Sequence, residues 1–253
     1  MKTDISFIKT HDFLKKKYIK NIMLVKNQGL CNTNYIVKTK KQSYVLRFFH
    51  SNKSVNISRE FEYKVQKEAF KKNLTAKPYY FDKKNGLLIS NYLKGEHKNK
   101  LKSKELKTLI KKVKKVHKLK MKSKTYDFNI DLNHYKNSLH DKKSQKLIKK
   151  LKKKLKKLRN FKKNLALCHH DLNPKNIIFS DKNIYLIDWE YAGINDIFFD
   201  LATICIEFNL DKRKKKILLK QYFKNLKYSH FQKLKCYEKI YSLLCKLWFK
   251  ENL

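Results

Sequence analysis

The sequence predicts an α+β protein of two lobes, a small strand-rich lobe over residues 1–95 and a larger, mostly helical lobe over 96–253. Three observations carry this. Residues 22–49 and 76–95 alternate apolar and polar positions around short polar turns, the period of half-buried strands. From about residue 100 the period becomes that of amphipathic helices. With 4 Gly and 2 Pro in 253 residues there is no flexible linker, so the lobes are expected to be closely coupled.

The elements follow in order. "NYIVKT" and "SYVLRFF" read as strands joined by the turn "KTKKQ", and the polar loop "KNQGLCNTN" precedes them. Residues 57–73 read as a helix with Phe61, Val65 and Ala69 on one face. "AKPYYFDKKNGLLISNYLKG" reads as two strands around an Asn-Gly turn. A helix over about 100–119 turns Leu106, Ile110, Val113, Val116 or His117, and Leu119 inward. A second, over 142–160, carries Leu147, Leu151, Leu155 and Leu158 on one stripe with lysine opposite. Residues 177–188 form a short apolar hairpin, and helices run from there to the C-terminus.

Composition excludes several classes. Hydrophobic residues make up 42% of the chain, too many for a disordered polycation. No run reaches the ~18 apolar residues of a membrane span, and residues 1–25 lack a signal-peptide core, so a cytoplasmic protein is expected. The net charge is +42, yet only four of the 63 basic residues are Arg. Readers of bases and phosphates lean on arginine's fork, so a solvated lysine coat is expected and no specific nucleic-acid partner. The lysine face of 142–160 is read as an ordinary surface, against the rival of docking on an anionic membrane. Five cysteines without a C-x-x-C pair are expected to be reduced thiols.

The acids are not spread like the lysines. Seven of the 21 fall between 171 and 207: Asp171, Asp181, Asp188, Glu190, Asp196, Asp200 and Glu207. Such clustering in a basic chain suits a divalent metal, a cationic substrate, or both. Asp171 and Asn176 bracket a tight loop, and the hairpin after it returns Asp188 toward Asn176. The loop Asp is placed to accept a hydroxyl proton, and Asn176 and Asp188 are hard oxygen ligands suited to Mg²⁺ between phosphates. Taken singly, each has a plainer use as helix cap, turn residue or strand end.

"HHDLNPKNIIF" and "LIDWEYAG" resemble the phosphotransferases of the protein-kinase-like fold, a group that includes aminoglycoside phosphotransferases. "IDWEYAGINDIFFDLATICIEF" is similar to the choline/ethanolamine kinase family within it. The resemblance implies Asp171 as catalytic base, His169 as a shaper of its loop, and Asn176 and Asp188 as holders of Mg²⁺ on ATP. It implies Glu190 as a further metal-shell or substrate-orienting carboxylate, and leaves Asp200 a tie between loop and helix. "NQGLCNTNYIV" is similar to the family's nucleotide loop, with Asn32 and Thr33 near phosphates. Arg47 stands where a phosphate-holding cation is expected. Its partner acid is Glu62, with Glu60 the alternative. "LISNYLKG" would meet adenine between the lobes.

The family position for the substrate's cationic end is Glu207, and Trp248 matches one aromatic wall. Cys245 stands where the family often has a second Trp, which thins the box and keeps ethanolamine beside choline. The expected activity is ATP- and Mg²⁺-dependent O-phosphorylation of a small amino alcohol, choline first. A kinase for thiamine, an aminoglycoside or a sugar is the alternative, and a polyanion- or membrane-binding module is the rival of another class.

Overall fold

The structure is a computed structural model and describes residues 5–26, 32–49, 57–181 and 183–252. The first lobe is built on one antiparallel sheet. Its strands are β1 (Ile19–Leu24), β2 (Asn32–Thr39), β3 (Ser43–Phe49), β4 (Pro78–Asp82) and β5 (Leu87–Asn91), in spatial order β1-β2-β3-β5-β4. The turn between β2 and β3 closes through the Thr39 hydroxyl, which donates to the Gln42 carbonyl at 2.7 Å. In the β4–β5 turn Gly86 adopts φ +60°, a left-handed conformation that glycine takes without steric cost.

The alternation of β3 decides the rest of the lobe. Tyr44, Leu46 and Phe48 face a core completed by Val37, Leu87, Ile89 and Leu14, with Ile8 of α1 (Ile5–Thr10). Arg47 falls between Leu46 and Phe48, so it projects to the opposite face. There it meets α2 (Arg59–Lys71), capped by Ser58, whose hydroxyl accepts from Phe61 N. Glu62 lies three residues before Val65 and seven before Ala69, so it shares their buried stripe.

The second lobe contains α3 (Ser103–Val116), α4 (Phe128–Ser138), α5 (Lys142–Lys157), α6 (Phe198–Glu207), α7 (Lys212–Tyr222) and α8 (Tyr228–Asn252). Four short strands lie between α5 and α6: β6 (Leu165–Cys168), β7 (Ile177–Phe179), β8 (Ile184–Leu186) and β9 (Gly193–Asp196), paired β6 with β9 and β7 with β8. The inward stripe of α3 is the expected one with Leu109 added, and His117 caps its end. On α5 the buried seam is Ser144, Ile148 and Leu151. Leu147, Leu155 and Leu158 are only partly covered, so the helix is rotated from the expected leucine stripe. It seats against α4 and α8 through Leu132, Tyr135, Ile240 and Leu247. The sequence reading did not foresee α4. No described helix is long and apolar enough to cross a membrane.

The chain leaving β5 and the segment before β4 are tied to the second lobe, mostly through backbone. Glu96 N donates to Phe179 O at 3.0 Å and Phe179 N to Glu96 O at 2.9 Å. Leu186 N donates to Leu74 O at 2.8 Å, and the Trp189 indole to Thr75 Oγ1 at 3.1 Å. The first tie needs Gly95, because a Cβ there would lie 2.6 Å from the Phe179 carbonyl oxygen. Gly95→Ala is therefore expected to destabilise the protein by about 1–3 kcal/mol, the usual range for overpacking. A melting curve measures this, and a wild-type midpoint would show that the junction yields.

Candidate active site

Between Cys168 and Ile177 the chain makes the loop that carries the first acid. His170 has φ +68°, which is uncommon for a residue with a side chain. Asp200 of α6 holds that turn: one oxygen accepts from His169 N at 2.9 Å, the other from His170 N at 2.9 Å. His117 adds Nε2 at 3.0 Å from Asp200 Oδ2. Burial works against the charge of Asp200, but the hydrogen bond and charge of His117, the charge of His170 and the His169 N–H outweigh it and hold its carboxyl low. His169 is fully buried, and burial drops its pKa to about 4. Its Nε2 donates to Ile187 O at 3.0 Å, so it is a neutral structural residue.

Asp171 thus sits on a fixed loop. Asn173 Nδ2 donates to its Oδ1 at 2.8 Å, and Asn176 Nδ2 to its Oδ2 at 2.6 Å. Burial, followed by the negative charge of Asp188, pushes its pKa up to about 7. Glu190 and Glu207 push the same way, and the Asn173 hydrogen bond opposes them. Ile187 N donates to Asn176 O at 2.9 Å, so the β7–β8 hairpin returns Asp188 beside Asn176. Asp188 itself has φ +66°.

The donor set fits Mg²⁺. With the Asn176 nitrogen committed to Asp171, its amide oxygen is left to ligate. The partly exposed Asp188 carboxylate is the second hard donor, and two protein oxygens leave room for phosphate and water. His117, Cys168 and Asp200 also converge, with ligand atoms within 4.8 Å. Their atoms are engaged with one another, the loop backbone and the carbonyls of Asn195 and Asp196, so they form a structural knot.

Opposite Asp188 the lobes meet through charge. Arg47 bonds Glu62 at 2.9 Å, Asp188 at 2.5 Å and Glu190 at 3.0 Å. Arg59 bonds Glu62 at 2.9 Å and Glu190 at 2.8 Å. The partner acid of Arg47 is Glu62; Glu60 pairs outside with Lys83. Glu190 joins this network: two guanidiniums and Asn32 Nδ2, at 3.1 Å, share its Oε2. Asn32 is buried in the same network, with Arg59 Nη2 3.4 Å from its oxygen. Thr33 lies in β2 opposite Phe48. Residues 27–31 of the expected nucleotide loop lie outside the described residues.

Glu207 closes α6, and the Tyr241 hydroxyl donates to it at 2.7 Å. Cys245 stands one turn beyond Tyr241 on α8. Burial pushes its thiol up to about 12 against the Tyr241 hydrogen bond, with Glu207 and Asp171 adding to the rise. Glu207, Tyr241 and Cys245 thus lie together, within electrostatic reach of Asp171. Trp248 is half-buried against the α4–α5–α8 cluster, with its ring 5.3 Å from Phe249, so the contacts favour its packing reading. The sequence reading missed Tyr241 and Arg59. Tyr241 carried a signal, since residues 241, 245 and 248 recur at helical spacing on one face.

Comparison with known proteins gives this geometry a family. Residues 19–241 match the family model described as choline/ethanolamine kinase. Protein LicA of Haemophilus influenzae (strain ATCC 51907 / DSM 11121 / KW20 / Rd) is 26% identical over 239 residues, covering 87% of this chain and 90% of the relative. A thiamine kinase of Salmonella paratyphi B is 36% identical over 75 residues, 27% of this chain and 26% of its own. In fold, choline kinase LicA from Streptococcus pneumoniae superposes with a TM-score of 0.85 at 20% identity, over 98% of this chain and 90% of that one. A spectinomycin phosphotransferase follows at 0.67 and 14%, over 91% and 84%. The match along nearly the whole length, with a kinase-like two-lobe architecture, means that the chain belongs to the choline/ethanolamine kinase family, phosphotransferases with an alcohol acceptor.

Proposed function

We propose that the protein transfers the γ-phosphoryl group of ATP, with Mg²⁺, to the hydroxyl of a small amino alcohol, choline first and ethanolamine second. The observation that carries this is the convergence of Asp171, Asn176 and Asp188, with Arg47 on one side and Glu207 on the other. Residues 1–95 act as the nucleotide lobe and 96–253 as the catalytic and substrate lobe. ATP as donor and free cysteines suit the cytoplasm.

The residues divide the work. Asp171 accepts the hydroxyl proton as the alcohol oxygen forms its bond to phosphorus and the bond to the bridging oxygen of the ADP leaving group breaks. Its raised pKa brings the base close to neutral, where proton transfer is most effective. Asn176 and Asp188 would hold Mg²⁺, which neutralises phosphate charge when bound. Arg47 commits its fork to Glu62, Asp188 and Glu190, so it serves the nucleotide by holding Asp188 in place. Glu207 and Tyr241 face the cationic end of the alcohol. Catalysis is then alignment and charge neutralisation.

Two variants test the assignment, each assayed with ATP against choline, ethanolamine, thiamine and a sugar. Asp171→Ala is expected to lower kcat by about 10²–10⁴-fold, the usual worth of a positioned base. Near-normal turnover of every alcohol by that variant would refute the role. Preference of the wild type for a sugar or thiamine over both amino alcohols would overturn the substrate class. Arg47→Met strands Asp188 and leaves Glu62 and Glu190 to Arg59 alone, at a cost of about 3–5 kcal/mol. Both a lower melting midpoint and a raised KM for ATP are expected; an unchanged pair of values would remove Arg47 from the nucleotide site.

A further inference from the structure

Beside this site lies a carboxylate that the mechanism above leaves unused. Asp131, on α4, is only 7% exposed. Its Oδ2 is buried without a hydrogen-bond partner among the described residues. Leaving a charged oxygen in that state is costly, and native structures keep such atoms for a reason. The Tyr126 hydroxyl lies near enough to favour the ionised form of the carboxylate. The Tyr126 ring lies 4.8 Å from that of His170, the residue before Asp171. Tyr135 is one turn further along the same face of α4. Burial pushes its hydroxyl up, and Asp131, Glu251, Tyr191 and Cys245 add to the shift. Cys245 in turn feels Glu207 and Asp171. The Phe199 ring joins the two sides: it lies 6.4 Å from Tyr126 and 5.8 Å from Tyr241, whose hydroxyl is bonded to Glu207.

We infer that Asp131 is a second carboxylate of the acceptor site, which with Glu207 holds the cationic head of the alcohol against the tyrosines of α4 and α8. The inference rests on the amino-alcohol reading proposed above. A bound cation supplies the partner that Asp131 Oδ2 lacks, and Tyr126 and Tyr135 are neighbours of the aromatic type such cations favour. Burial lifts the Asp131 pKa to about 6 against the Tyr126 hydroxyl, so it is ionised yet poorly solvated at neutral pH, and a positive neighbour is favoured. The other charged groups facing it are Asp127 and His134, and His134 is paired with Glu251 at 2.8 Å. Neither supplies a fixed counter-charge.

The test compares charged and neutral acceptors on the full chain. Asp131→Asn keeps the shape and an oxygen for Tyr126 while removing the charge. Choline and ethanolamine are assayed beside 3,3-dimethyl-1-butanol, the uncharged carbon analogue of choline. The ratio of kcat/KM for the charged alcohol over the neutral one is expected to fall about tenfold or more, carried by KM. A fall confined to choline or to ethanolamine supports the assignment and identifies the head that is read. An unchanged ratio, with or without a uniform loss of activity, overturns it. Should Asp131→Asn fail to fold, Tyr126→Phe removes only the hydroxyl that favours the ionised carboxylate. The same charge-selective loss is then expected, and a uniform effect overturns the assignment. Wild-type protein that phosphorylates none of the three sinks the functional reading and this inference with it. Wild-type turnover with an indifferent Asp131→Asn sinks this inference alone.

Discussion

Everything in the cleft depends on two buried arginines from the first lobe gripping carboxylates of the second. Arg47 and Arg59 carry two positive charges, and Glu62, Glu190 and Asp188 carry three negative ones, so the cluster is one charge short of neutral. Buried ion pairs contribute little net stability, since desolvation offsets the attraction. They do fix geometry, because an unpaired member would be expensive. Arg47 can satisfy Glu62, Asp188 and Glu190 together only when α2, β3 and the end of the β7–β8 hairpin hold one arrangement. The cluster therefore fixes how the two lobes meet, and Asp188, its one carboxylate open to solvent, presents the excess negative charge beside Asp171.

The opposite wall is fixed by a different device. Two non-glycine residues, His170 and Asp188, adopt left-handed backbone on either side of the hairpin. Such conformations persist only where the surroundings enforce them. At His170 the enforcement is visible: Asp200 takes its N–H and that of the preceding residue, and His117 orients Asp200. At Asp188 the Arg47 contact and the Ile187 bond to Asn176 do the same. The acids are presented by a backbone that would relax elsewhere, and α3 and α6 supply the restraint.

How far the sequence could be read follows from range. The loop from Asp171 to Asn176 and the hairpin to Asp188 are local, so spacing alone brought those residues together. Glu62 was legible because helical period puts it on the buried face with Val65 and Ala69. Arg59 and Glu190 are 131 positions apart, and no local pattern announces that they meet. The helix α4 was illegible for another reason. Ile130 is exposed while Asp131 is buried, so apolar period and inward face disagree. Trp248 shows the converse: a residue type suited to a cation box, carried by helix geometry toward a neighbouring apolar cluster.

The lysine coat sets the field in which this small acidic site works. A molecule of net charge +42 draws a nucleotide polyanion from solution, and screening by salt weakens that pull. The same field repels an approaching ammonium until it comes within reach of the acids between 171 and 207. Added electrolyte thus acts on the two co-substrates in opposite senses, slowing capture of one and easing entry of the other.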